Sequence, residues 1–96
     1  MELKEYRAQI DQIDADLVEL FVRRMEIAAE IGSYKKERGL PVLDAERERE
    51  KLLRIAEMTP EGDRQDVTAL FEKIMELSRG RQSRLLNETE RTIPEA

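Results

Sequence analysis

Seven polar or charged side chains stand on or beside the apolar stripes of this 96-residue sequence, and their types suit the capture of a small anion. In "MELSRGRQSRLL", residues 75–86, the stripe Val67, Leu70, Phe71, Ile74 extends by steps of three and four to Ser78, then to Arg81 or Gln82, then to Leu85. A hydroxyl and a carboxamide therefore fall where a core should continue. A buried carboxamide has several hydrogen-bonding groups to satisfy, and a mid-helix position offers few backbone partners. Gly80 between them costs about 1 kcal/mol against alanine in a helix interior, which predicts close packing or a close approach there.

Other segments repeat the pattern. The heptad series Leu3, Ile10, Leu17 leads to Arg24 and then to Ile31. Lys35 follows Arg24 by eleven residues, which is three helical turns plus about 20° of rotation, so the two cations share a face about 16 Å apart. Each has an ordinary explanation: Arg24 can snorkel from a seam edge, and Lys35 can sit in water near a helix end that favours a cation. Asp44, Arg47 and Glu48 lie on one face with Leu52 and Ile55, although Asp44 is also a good N-cap and acid belongs in a first turn. Taken together, inward polar residues on three successive segments describe a polar pocket inside a helical bundle. Guanidinium and ammonium groups with hydroxyl and amide donors suit a carboxylate or a phosphate. The sequence has no histidine and no cysteine, which removes the usual proton shuttle, the usual activator of a nucleophile and any thiolate metal site. Chemistry in such a pocket rests on positioning and electrostatics, with no metal and no cofactor expected.

The elements that must position these residues are helical. Leu3, Tyr6, Ile10, Ile13, Leu17, Leu20, Ile27, Ile31 and Tyr34 alternate steps of three and four, predicting one helix from Glu2 to Arg38. A helix that long needs a second long helix against its stripe. In "RGLPVLDAERERE", Gly39 fits a helix C-cap, Pro41 cannot continue the helix, and Asp44 fits an N-cap, so a second helix is expected over Ala45–Met58. "TPEGD" breaks the chain again, and a third helix is expected from Arg64 to Asn87. Residues 1–90 read as one domain and residues 91–96 as a flexible polar tail.

Composition agrees. Charged residues make up 41% and aromatics 4%, too little large apolar surface for a lone chain to bury much of a core. The class is all-α with three helices per chain, and the chain is either a lean helical bundle or one that shares its core with another chain. A net charge of −5 argues against a nucleic-acid binder, and no apolar run approaches a membrane span or a secretory signal. The expected location is the cytoplasm.

The blocks "YRAQIDQIDADLVELFVRRMEIAAEIGSYK", "PVLDAERERE" and "LSRGRQSRLL" agree in order and spacing with the all-helical (type II) chorismate mutases, and the chain resembles that family over residues 4–87. The resemblance implies an intertwined three-helix homodimer that rearranges chorismate, a dicarboxylate, to prephenate in aromatic amino-acid biosynthesis. It implies that Arg7 and Arg24 hold the two carboxylates, with Arg23 left on the surface. By the same resemblance Lys35 bonds the ether oxygen, Asp44 and Glu48 take the ring hydroxyl, and Arg47 supports the site wall. Ser78 would touch a carboxylate, and Gln82 would donate a second hydrogen bond to the ether oxygen.

Geometry bears on the dimer. Arg7 and Arg24 are about 25 Å apart along a continuous helix and about 100° apart around it, too far to grip one small molecule. An antiparallel partner helix would bring Arg7 of one chain to Arg24 of the other and make two equivalent sites. The rearrangement transfers no proton, so the missing histidine is no obstacle, and the cations can focus the field despite the acidic total. Isochorismate-pyruvate lyases share the scaffold, and a helical dimer without catalysis is the structural alternative. A further alternative keeps the mutase but makes it poor alone, as in members of the family that are fused to, or activated by, another shikimate-pathway enzyme.

Overall fold

The computed structural model describes residues 1–91, with side chains through Arg84. The chain forms helix α1 over Leu3–Glu37, α2 over Ala45–Met58 and α3 over Arg64–Arg91, with a short 3-10 turn at Glu61–Asp63 before α3. No strand occurs among the described residues. The long first helix and the bounds of α2 match the expectation from sequence.

The predicted breaks form by the chemistry that their residues offer. At the end of α1, Gly39 adopts φ 66°, the left-handed region that a Cβ disfavours. Its N–H donates to the Lys36 carbonyl at 3.2 Å while the Leu40 N–H reaches the Lys35 carbonyl at 2.8 Å, the paired bonds of a Schellman C-cap. Asp44 starts α2 by accepting the Arg47 N–H on its carboxylate at 3.0 Å. Between α2 and α3, the Arg64 Nε donates to the carbonyls of Ala56 at 2.9 Å and Thr59 at 3.1 Å, closing the turn around Pro60.

α3 is longer than its expected end at Asn87 and runs to Arg91. The run NETER is polar, but polarity does not break a helix; glutamate and arginine are good helix formers, and the next breaker in the sequence is Pro94. Most of the tail expected at 91–96 lies outside the described residues, as does the side chain of Leu85.

α3 packs along α1 and against α2. The chain measures 65 × 29 × 15 Å, so its thinnest dimension is little more than one helix with side chains, about 10–12 Å. Such a layer encloses little: the buried apolar side chains are Ala28, Ile55 and Met75, and no large side chain is fully buried. Along the N-terminal half of α1, Leu3, Tyr6, Ile10, Ile13, Leu17 and Leu20 are each more than half exposed. The stripe that sequence periodicity marks is present on the helix, and the described residues leave it more than half exposed.

Candidate active site

The C-terminal half of α1, the start of α2 and the second half of α3 enclose a pocket of about 440 Å³. From α1 come Arg24 and Lys35, eleven residues apart and, as their spacing requires, on one face. From α2 come Asp44, Arg47, Glu48 and Lys51, related as i, i+3, i+4 and i+7. Met75, Ser78, Arg79 and Gln82 of α3 repeat the same spacing. Each helix thus turns one face to the pocket, and each face is polar where the sequence broke its apolar stripe.

The polar atoms are held in definite arrangements. Arg24 Nη1 donates to Ser78 Oγ at 2.7 Å, and the Ser78 hydroxyl donates to the Ile74 carbonyl at 2.9 Å. The single hydroxyl proton is thereby committed to the backbone, and the oxygen steadies the guanidinium. Lys35 Nζ donates to the Val42 carbonyl at 2.8 Å, which ties the end of α1 to the loop before α2 and leaves two ammonium protons for another acceptor. Asp44 lines the pocket at its rim with one carboxylate oxygen spent on capping. Glu48 accepts from Arg79 Nη1 in an ion pair that joins α2 to α3.

Ser78 and Gln82 are the buried polar residues of the described chain, at 8% and 6% exposure. The Gln82 carboxamide oxygen is buried with no hydrogen-bond partner. A buried polar atom left so is costly unless something completes it. The close approach beside it involves Gly32 of α1: a Cβ there would lie 3.0 Å from Gln82 Cγ. Gly80 makes no such contact, because a Cβ on it would meet nothing within 4 Å; the expected close approach at that residue is corrected to Gly32, on the facing helix.

Of the eight site residues expected from sequence, Arg24, Lys35, Asp44, Arg47, Glu48, Ser78 and Gln82 line this one pocket. Arg7 does not; it lies exposed on the uncovered half of α1. Arg79 and Lys51 were missed. Their signal was present, since a stripe counted from Met75 instead of Ile74 passes through Arg79, and one counted from Asp44 passes through Lys51. With them the lining holds five cations, Arg24, Lys35, Arg47, Lys51 and Arg79, against the carboxylates Asp44 and Glu48. The pocket is therefore positive in a chain whose net charge is −5. Among the described residues no cluster of His, Cys, Asp or Glu has the makings of a metal site, and no helix is long and apolar enough to cross a membrane.

The sequence model of a family described as chorismate mutase type II matches residues 6–83. The chain is similar to a chorismate mutase of Methanocaldococcus jannaschii, 30% identical over 90 residues that cover 92% of this chain and 91% of that protein. It is also similar to the T-protein of Haemophilus influenzae, 41% identical over 46 residues, or 48% of this chain and 12% of that protein. A bifunctional chorismate mutase/prephenate dehydratase of Aquifex aeolicus is 44% identical over 57 residues, 56% of this chain and 16% of that protein. The match thus takes in a small part of the two longer relatives and nearly all of the short one. No solved structure matches the chain.

Proposed function

Because the chain belongs to the chorismate mutase type II family, we propose that its pocket converts chorismate to prephenate by an intramolecular Claisen rearrangement. The observation that carries this reading is the meeting of Arg24, Lys35, Ser78 and Gln82 in one positive pocket built without histidine or cysteine. Arg24, braced by Ser78, takes a substrate carboxylate. Lys35 and the Gln82 carboxamide meet the ether oxygen, on which negative charge grows as the C–O bond breaks. Glu48, with Asp44 at the rim, accepts the ring hydroxyl, and Arg47 supports the wall. Holding the substrate in its compact reactive conformer removes ordering cost from the barrier, and no proton or covalent intermediate is needed.

The resemblance gives the second carboxylate to Arg7, which the chain does not bring to its own pocket, and Arg7 fills that role from a second copy of the chain. The uncovered apolar stripe from Leu3 to Leu20 supports an antiparallel homodimer, which would bury that stripe and carry Arg7 to the partner's site. The expected place of action is the cytoplasm, in aromatic amino-acid biosynthesis. An alternative keeps the mutase but makes it poor alone, its activity raised by another enzyme of the same pathway.

The test is loss of chorismate absorbance with the purified chain, the product identified, and isochorismate offered separately. Saturable formation of prephenate supports the mutase. Release of pyruvate from isochorismate, with chorismate untouched, replaces it with the lyase on the same scaffold. A folded dimer inert to both substrates replaces it with the structural reading.

A further inference from the structure

Three ion pairs occur among the described residues, and two of them join near neighbours on one helix or at its end, Arg38 with Glu37 and Lys73 with Glu76. The third, Arg79 with Glu48, spans 31 residues of sequence and links two helices. Its side chains are also the least exposed of the three, at 34% and 26%. Exposed pairs contribute little, whereas a partly desolvated, charge-assisted bond both holds its partners and costs more when broken. Both residues line the pocket, so the pair lies in its wall.

Its chemistry bears on the substrate. An ionised carboxylate only accepts hydrogen bonds. Arg79 engages Oε1 of Glu48, and no hydrogen bond from the described residues reaches Oε2, which is free to accept a hydroxyl. Without a counter-charge, Glu48 would repel a dianion entering the same space. We infer that Arg79 is a positioning residue for the reaction, fixing the Glu48 carboxylate as a hydroxyl acceptor and cancelling its charge toward an anionic substrate. The inference rests on the chorismate mutase reading. Arg79 acts through Glu48, so its loss weakens ground state and transition state alike and appears in KM more than in kcat.

The experiment is a double-mutant cycle on the full chain with Arg79→Gln, Glu48→Gln and the double variant, reading kcat and KM for chorismate alongside thermal unfolding. Arg79→Gln is expected to raise KM about tenfold, the scale of one lost charge-assisted contact, with kcat little changed. Arg79→Lys, which keeps the charge, should restore most of the affinity. The double variant should be no worse than Glu48→Gln alone, because the residues act as a unit. Arg79→Met, whose long stem keeps the α2–α3 packing, is run in parallel in case the glutamine variant fails to fold. Additive losses overturn the inference, as does an unchanged KM with lowered thermal stability, which would make the pair a helix clamp. A wild-type chain that does not turn over chorismate overturns the mutase reading itself, a result separate from an active wild type with an additive cycle.

Discussion

Gly32 of α1 and Gln82 of α3 approach so closely that a Cβ on Gly32 would lie 3.0 Å from Gln82 Cγ and 3.3 Å from its Cα. The side-chain end of that contact can shift, but the Cα cannot without moving α3. The glycine therefore sets the depth at which the Gln82 carboxamide sits in the pocket.

Gly32→Ala should accordingly affect turnover more than folding. Alanine gains about 1 kcal/mol of helix propensity, which offsets much of an overpacking cost of about 1–3 kcal/mol. The melting temperature should fall only slightly, while kcat falls about tenfold or more if Gln82 meets the ether oxygen as proposed, because the substitution displaces it. Steady-state kinetics beside a thermal melt test this; kcat at the wild-type level would show that Gln82 is not positioned by this contact.

Gly80→Ala is the contrasting case. A Cβ there meets open space in the protomer and the residue lies inside α3, so alanine should stabilise the protein by about 0.5–1 kcal/mol. Activity should be unchanged. A lowered melting temperature would mean that another copy of the chain packs against Gly80.

These two glycines show what a sequence can and cannot disclose. Helix positions, the Gly39 stop and the Asp44 cap follow from local chemistry, and Ser78 and Gln82 were legible because they break a periodic stripe. The helical cost of Gly80 was legible too, but which glycine faces a neighbouring helix depends on how α1 and α3 are rotated, which single-helix periodicity does not fix. Arg79 escaped for a related reason. A stripe is wider than one line of residues, and a long side chain just off that line still reaches the pocket. The end of α3 was misjudged because polar composition resembles a tail and a solvated helix equally.

A neutral carboxamide donates its hydrogen bond without first taking up a proton, and the chain has no histidine, so wild-type kcat should stay nearly flat across about pH 6–8. Gln82→Glu replaces the donor with a group that donates only when protonated, and a free glutamic acid titrates near about pH 4.3. Its activity should be absent or very low at neutral pH and rise as the pH falls. A pH–rate profile of both proteins measures this, and an acid-only profile in the wild type would count against Gln82 as the donor.

Salt should slow capture of the substrate. The pocket's positive lining draws a dianion toward a chain that is negative overall, and raising ionic strength from about 0.01 M to about 0.1 M shortens the Debye length from about 30 Å to about 10 Å. We expect kcat/KM to fall several-fold over that range while kcat changes little. Equal kcat/KM at both ionic strengths would show that the local field plays no part in association.

Arg7 and Arg24 offer the sharpest test of the proposed dimer, since they lie too far apart on one helix to share a ligand and would meet only across two antiparallel copies. Arg7→Ala and Arg24→Ala should each leave a folded dimer with little activity. When the two variants are unfolded together and refolded at equal amounts, about half of the dimers are mixed. If each chain supplies Arg7 to its partner's pocket, one site of a mixed dimer receives both substitutions and the other receives neither. The mixture should therefore recover about a quarter of wild-type activity. If Arg7 served its own chain's pocket, every site would carry one substitution and refolding together would recover nothing, so the recovered fraction distinguishes the two arrangements directly.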